Sequence, residues 1–212
     1  MKTNTIAVIG GTGKSGKYLV QYLLEKGYKM KLLLRTPENF KLEHPLIEIV
    51  KGDARDYHSV NTLIKDCSVV MSTLSQPVGE ESIFSDAAEN ITRSMALHGI
   101  KRYIVIAGLN VDTPFDKKSI KVKQATEWMY QNYPKTTKDR QAEYEILTKT
   151  NLDWTLIRLP LIIQTSESFK TETNLEDCKG ENISATDLAE FLTSQIDDRT
   201  YIKQSPFLYN LS

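Results

Sequence analysis

Ile6-Ala7-Val8-Ile9-Gly10-Gly11-Thr12-Gly13-Lys14-Ser15-Gly16 decides how this chain folds. The first four residues are wholly apolar, as in a short strand buried on both faces. Glycines then recur at 10, 13 and 16, and Leu19, Val20, Leu23 and Leu24 follow at helical spacing, with Gly27 placed to stop the helix. In a strand–turn–helix unit this glycine spacing lets the backbone reverse sharply, approach a pyrophosphate and pack the helix against the strand. The helix N-terminus adds free N–H groups and partial positive charge. Lys14 and the hydroxyls of Thr12 and Ser15 are candidate extra contacts, so the segment predicts a dinucleotide site. A P-loop is excluded, because Gly13-Lys14-Ser15 lacks a glycine five residues before Gly13, where Val8 stands.

Outward from this segment, strand and helix patterns alternate. Strands are expected at Met30–Leu34, Leu46–Val50, Val69–Met71, Tyr103–Ile106 and Trp154–Ile157. Between them lie a short helix around Val60, Leu63 and Ile64 and a longer one carrying Phe84, Ala87, Ala88, Ile91 and Met95, closed by Gly99. A helical stretch from Lys117 to Thr150 is broken at Pro134. Thr165–Glu181 is polar and irregular, a lid or a surface excursion. Ser184-Ala185-Thr186-Asp187 resembles a capping box opening a helix with Leu188, Phe191, Leu192 and Ile196. Phe207–Tyr209 reads as a last edge strand. Such alternation predicts an α/β fold: a doubly wound, Rossmann-like parallel sheet flanked by helices on both faces, with residues 1–212 forming one NAD(P)-binding domain.

The choice of dinucleotide rests on the end of the second strand. NAD sites place an acid there for the ribose hydroxyls. This chain has Arg35, followed by Thr36, and a guanidinium grips a 2′-phosphate that an acid repels. NADP(H) is therefore favoured over NAD(H). After the third strand, Asp53 is placed either to accept from the adenine amino group or to cap a helix, a job for which Asp56 competes; Ala54 offers backbone contacts.

Composition narrows the function classes. Lys plus Arg number 27 and so do Asp plus Glu, and this zero net charge argues against a nucleic-acid binder. No apolar run approaches the roughly 20 residues of a membrane span. Met1–Thr5 runs into the first strand without a leader h-region, and Cys67 and Cys178 match no metal or redox spacing, so a cytoplasmic location with reduced thiols is expected. His44, His58 and His98 suggest no metal site, and His98 near a helix end suits the helix dipole.

Three stretches together resemble one family: the opening I-A-V-I-G-G-T-G-K-S-G, Gly52-Asp53-Ala54, and Leu152-Asp153-Trp154-Thr155-Leu156-Ile157-Arg158. The chain is similar to atypical short-chain dehydrogenases of the NAD(P)H-binding, NmrA-like type, and within them to the biliverdin reductase B/flavin reductase group. I-S-A-T-D-L-A-E-F-L, Tyr201 and Pro206 extend the likeness. The resemblance implies about seven parallel strands in the order 3-2-1-4-5-6-7. It also implies NADPH across their carboxyl ends and hydride transfer to flavins, biliverdin-like tetrapyrroles or quinones.

The family's usual catalytic pair is missing. In Tyr-x-x-x-Lys a lysine lowers the pKa of a proton-donating tyrosine. Here only Tyr22 and Lys26 fit the spacing, on the first helix and far from the nicotinamide end. The biliverdin reductase B group is linked instead to a serine after the fifth strand and a histidine after the sixth, positions matched here by Gly108 and Leu161. Neither donates a proton from a side chain. Flavin or quinone reduction asks less of the protein, because solvent supplies protons.

By topology, Leu74 and Ser75 are expected at the cofactor. Gln76, Gly108, Leu109, Asn110, Pro160 and Leu161 are expected to wall the substrate pocket, with Ser75, Gln76 and Asn110 as its polar members. Trp128, Met129, Tyr130 and Tyr133 form an aromatic group suited to helix packing or to stacking on a flat substrate. Two functions follow as expectations: a reductase acting on a small flat acceptor, or an NmrA-like NADP(H)-binding sensor that regulates a partner protein.

Overall fold

In the computed structural model, which describes residues 5–211, the predicted alternation becomes two β-sheets and six α-helices. In chain order the elements are β1 (Thr5–Ile9), α1 (Gly16–Glu25), β2 (Lys29–Leu34), β3 (Ile47–Lys51), α2 (Tyr57–Ile64), β4 (Val69–Ser72), α3 (Phe84–His98) and β5 (Arg102–Gly108). There follow α4 (Ile120–Asn132), α5 (Pro134–Thr148), β6 (Asp153–Leu159), β7 (Leu161–Ile163), β8 (Thr171–Asn174), β9 (Asn182–Ser184), α6 (Ala185–Ser194) and β10 (Phe207–Asn210). Residues 1–4, where the leader argument rests, lie outside the described part. Among the described residues no helix is long and apolar enough to cross a membrane.

The main sheet runs β3-β2-β1-β4-β5-β6-β10-β8, and its first seven strands are parallel in the order expected. The chain moves outward from β1 to β3, then returns to β4 on the other side of β1. Ligands in open α/β sheets sit at such a reversal, against the carboxyl ends of the strands.

Alternation along the strands explains the two core layers. Ala7 and Ile9 point to one face, with Val70, Val105 and Leu156, and meet α2 and α3 through Leu63, Ile91 and Met95. Ile6 and Val8 point to the other face, with Met30, Leu32, Ile104 and Ile157, and meet α1 and α6 through Leu19, Leu23, Leu188 and Leu192. Gly27 and Gly99 end their helices in the left-handed region, at φ 75° and 68°. Pro134 opens α5 at its first turn, which explains the break in the long helical stretch.

Two expectations need correction. Thr165–Glu181 is not wholly irregular: Thr171-Glu172-Thr173-Asn174 forms β8, antiparallel to β10, so β10 is flanked on both sides and is not an edge. β8 has no apolar alternation because it is an exposed to half-buried edge strand, held by main-chain pairing. The predicted capping box is half realised. Ser184 caps α6 by accepting from the Thr186 amide, but Asp187 does not reach back, because its carboxylate accepts from the Phe169 amide and the Asn210 side chain instead.

Candidate cofactor-binding site

The turn after β1 shows why glycine is required. Gly10 has φ +81°, and a Cβ there would lie 2.6 Å from the Thr73 carbonyl carbon. The close approach is fixed by the Thr73 amide donating to the Ile9 carbonyl at 2.9 Å and the Thr73 hydroxyl donating to the Gly10 carbonyl at 3.1 Å. A Cβ at Gly16 would overlap the Gly10 carbonyl, which holds α1 against the turn. Ser15 makes no side-chain cap on α1, so that helix end carries no built-in acceptor from its own N-cap.

Above this turn lies a cleft of about 460 Å³. Gly10, Thr12, Gly13, Arg35, Thr36, Asp53, Ala54, Leu74 and Ser75 all line it, nine of the candidate cofactor residues brought together from four separate loops. Ile9, Leu33, Leu34, Asn39, Phe40, Gly52, Pro77 and Ile83 complete the wall. Of the loop candidates, Lys14, Ser15 and Gly16 do not line it. Lys14 is exposed beside the turn, and Ser15 is buried under it.

At the far end of the cleft, Arg35 and Asp53, which line it, join a charge cluster with Arg55 and Glu80, which stand behind the lining. Arg35 follows β2, and its guanidinium donates to both Glu80 carboxylate oxygens, at 2.8 and 3.1 Å. Arg55 donates to the same carboxylate at 2.8 Å, and Asp53 lies 3.9 Å from Arg35 and 3.6 Å from Arg55. The hydrogen bond to Glu80 raises the Arg35 pKa, and the bonds from Arg35 and Arg55 hold Glu80 below its ordinary 4.5. Of the two roles open to Asp53, capping of α2 falls to Asp56, which accepts from the His58 and Ser59 amides. Asp53 closes a turn by accepting from the Arg55 amide at 2.9 Å and keeps a face on the cleft.

Glu80 reaches the arginines because Pro77-Val78-Gly79-Glu80 forms a turn with Gly79 at φ +76°. Gln76 braces that strap, donating to the carbonyls of Pro77, Glu80 and Glu81. Its amide nitrogen therefore serves the loop and not an open pocket, which corrects the expectation for Gln76. Asn110 is corrected too. It is 4% exposed, and its side-chain oxygen fills the space beside Gly108 that any side chain there would need. Gly108 and Leu109 are half-buried at the end of β5, Pro160 is buried, and Leu161 is 68% exposed; none of them lines the cleft. The cleft therefore spans the nucleotide end, not the region past β5 and β6. Trp128 and Tyr133 stack edge-on, half-exposed on and just after α4, and also lie off the cleft. Tyr22 and Lys26 stack on each other at α1, away from the site.

Sequence reasoning missed three charged residues that build this end of the sheet. Arg55 and Glu80 are two. Arg140 of α5 is the third: it donates to the Leu74 carbonyl at 2.7 Å and the Ile106 carbonyl at 3.0 Å, fixing the ends of β4 and β5. It pairs with buried Glu143, whose pKa burial pushes up. Arg55 sits two residues after Asp53 and could have been flagged by proximity, whereas Glu80 and Arg140 are brought in by tertiary structure alone.

A doubly wound sheet with a glycine-built turn and a cleft at its switch point defines an α/β dinucleotide-binding fold. The residues fit such a ligand: Gly10 and Gly13 give a wall without side chains where diphosphate would approach, and the cationic Arg35 stands at the far end. The chain belongs to the NAD(P)H-binding family, whose model matches residues 10–199. A short-chain dehydrogenase/reductase of Veillonella parvula solved with NADP superposes with a TM-score of 0.81 at 15% identity, covering 98% of this chain and 94% of that one. An anaerobillin reductase of Escherichia coli O157:H7 superposes at 0.78 with 14% identity, over 97% of each chain. In sequence, the chain is 30% identical over 132 residues to NADH dehydrogenase (ubiquinone) 1 alpha subcomplex subunit 9 of Arabidopsis thaliana, covering 57% of this chain and 33% of that protein. It is 25% identical over 183 residues to cinnamoyl-CoA reductase 1 of Petunia hybrida, covering 75% and 54%. The chain thus spans between a third and about half of the length of these curated relatives.

Proposed function

We propose that the protein is an NADPH-dependent oxidoreductase that passes hydride to a flat acceptor such as a flavin or a quinone, in the manner of the biliverdin reductase B/flavin reductase group. The observation that carries the cofactor preference is the pair Arg35 and Arg55, converging on one anion beside the end of the cleft that Arg35 lines. Two guanidiniums around one point form a seat for a 2′-phosphate. Gly10 to Gly13 and the start of α1 would hold the pyrophosphate, Asp53 and Ala54 the adenine, and Leu74 and Ser75 the middle of the cofactor. When bound, the nicotinamide supplies the hydride.

The acceptor class follows from what the chain offers beyond the cleft. Gly108 and Leu161 have no side-chain proton to give, Asn110 is buried against Gly108, and the Gln76 amide nitrogen is committed to its loop. A flavin or quinone can take its proton from solvent, so orientation beside the nicotinamide suffices. The likeness to proteins described as reductases supports this reading. The test is NADPH oxidation against a panel of flavins and quinones. Turnover with at least one is expected; tight NADPH binding with turnover of none would refute it.

The same lack of proton donors favours a second reading, an NADP(H)-binding sensor regulating a partner protein. Affinity capture at two NADP/NADPH ratios should then recover a partner at one ratio only. Recovery of no ratio-dependent partner refutes this second reading.

A further inference from the structure

Glu80 sits between the two arginines proposed to hold the 2′-phosphate. We propose that Glu80 is a built-in competitor for that phosphate, a carboxylate seated between Arg35 and Arg55 that sets how strongly the site prefers NADP(H) to NAD(H). The proposal rests on the NADP reading above and deepens it.

The geometry supports competition over simple neighbourhood. Both arginines spend a donor on the Glu80 carboxylate, with three contacts between 2.8 and 3.1 Å. Arg35 and Arg55 come from different segments and meet at this carboxylate. With Asp53 beside them, two cations face two anions, so the cluster is already neutral. A phosphate brings about −1.5 to −2 more charge at neutral pH and repels any carboxylate left in the seat. Glu80 must therefore leave when a 2′-phosphate enters. A ribose 2′-hydroxyl makes no such demand.

The strap is built to hold Glu80 in reach while letting it turn out. One end is braced by Gln76 on three strap carbonyls. The other is tied to α5, where Asp139 accepts from the Ser82 hydroxyl and the Phe84 amide. Between these ties the Glu80 side chain is 39% exposed, so it can rotate into water without unmaking the strap.

The experiment measures binding. Dissociation constants for NADPH, NADH, 2′,5′-ADP and 5′-AMP are determined by calorimetry for the wild type, Glu80→Gln, Glu81→Gln and Arg35→Ala. Exposed ion pairs are weak, so Glu80→Gln should tighten NADPH and 2′,5′-ADP by about 3- to 10-fold and leave NADH and 5′-AMP within about twofold. Glu81→Gln removes the same charge from the same loop but away from the seat, and should change none of the four. The proposal is overturned if Glu80→Gln leaves NADPH unchanged or weaker while Arg35→Ala weakens NADPH selectively; the phosphate seat then stands and Glu80 does not compete for it. It is overturned equally if Glu81→Gln gives the same gain, which would make the effect a general field of the loop. If Arg35→Ala weakens NADPH and NADH alike, and 2′,5′-ADP binds no better than 5′-AMP, the NADP reading fails and the competitor role falls with it.

Discussion

Replacing Arg158 with leucine should remove a large single share of the stability of this fold. Arg158 belongs to β6, and its side chain is fully buried over the Phe207 ring. Its guanidinium donates to the carbonyls of Ser205 at 2.9 Å, Val111 at 3.1 Å and Leu175 at 3.0 Å, and to the Asp116 carboxylate at 2.6 Å. One side chain thus clasps the loop after β5, the loop after β8 and the approach to β10. Each buried acceptor left unpaired costs about 1–3 kcal/mol, and breaking a buried ion pair costs about 3–5 kcal/mol; these overlap, so they do not add. Lys118, 4% exposed and 3.6 Å from Asp116, softens the loss by keeping a cation beside that carboxylate. The expected cost is about 3–4 kcal/mol, or a fall in Tm of about 6–16 °C for a chain of this size. Urea unfolding followed by circular dichroism should show a lower midpoint with an unchanged slope. On the Arg158→Leu background, Asp116→Asn should cost less than in the wild type, because only the Lys118 pair and the Thr113 hydrogen bonds are left for it to weaken. A loss below about 1 kcal/mol would refute the clasp.

Other outcomes test other parts of the molecule. Arg55→Ala should weaken NADPH roughly tenfold and spare NADH, as read by calorimetry, since a charge-assisted contact to the phosphate alone is lost. Gly10→Ala forces a side chain onto φ +81° and against Thr73, so it should destabilise by about 1–3 kcal/mol and weaken NADPH together, in thermal melts and titrations. Asp139 caps α3 from another helix, accepting from Phe84 and Ser85 amides. Burial alone would raise its pKa, but hydrogen bonds from Ser82, Ser85 and Phe84 outweigh that and hold it below its ordinary 3.8. Its folded pKa is depressed, so its contribution is present above 3.8 and is lost as pH falls through the folded value. Asp139→Asn should therefore cost about 1 kcal/mol near neutral pH and progressively less below pH 3.8 in urea unfolding.

Much of this architecture was legible in the sequence because burial writes itself as period. Ile6 to Ile9 and Tyr103 to Ile106 are apolar throughout, since both sheet faces are covered, and α3 repeats Phe84, Ala87, Ala88, Ile91 and Met95 as a helix facing a sheet must. β8 left no such trace, because an edge strand of Thr, Glu and Asn buries little and gains its place from the backbone of β10. In the cleft, the glycines and Arg35 could be read locally, since turn chemistry and strand ends are local facts. Glu80 could not: it meets Arg35 from 45 residues away, and no spacing rule marks such a pair. Gln76 was not readable locally either: its amide nitrogen donates to the Pro77, Glu80 and Glu81 carbonyls and so serves its own loop.

The position of β10 has a consequence for how the chain reaches this state. β10 comes after every other strand in sequence but lies between β6 and β8 in the sheet. Until residues 207–210 have been synthesised, β8 has no strand to pair with, and β6 lacks its outer neighbour. The half of the sheet from β3 to β5 can assemble during synthesis, whereas the other margin has to wait. A nascent chain stalled just short of Phe207 would display a bare β6 margin and a loose strand with complementary main-chain groups, the condition in which two such chains trade strands.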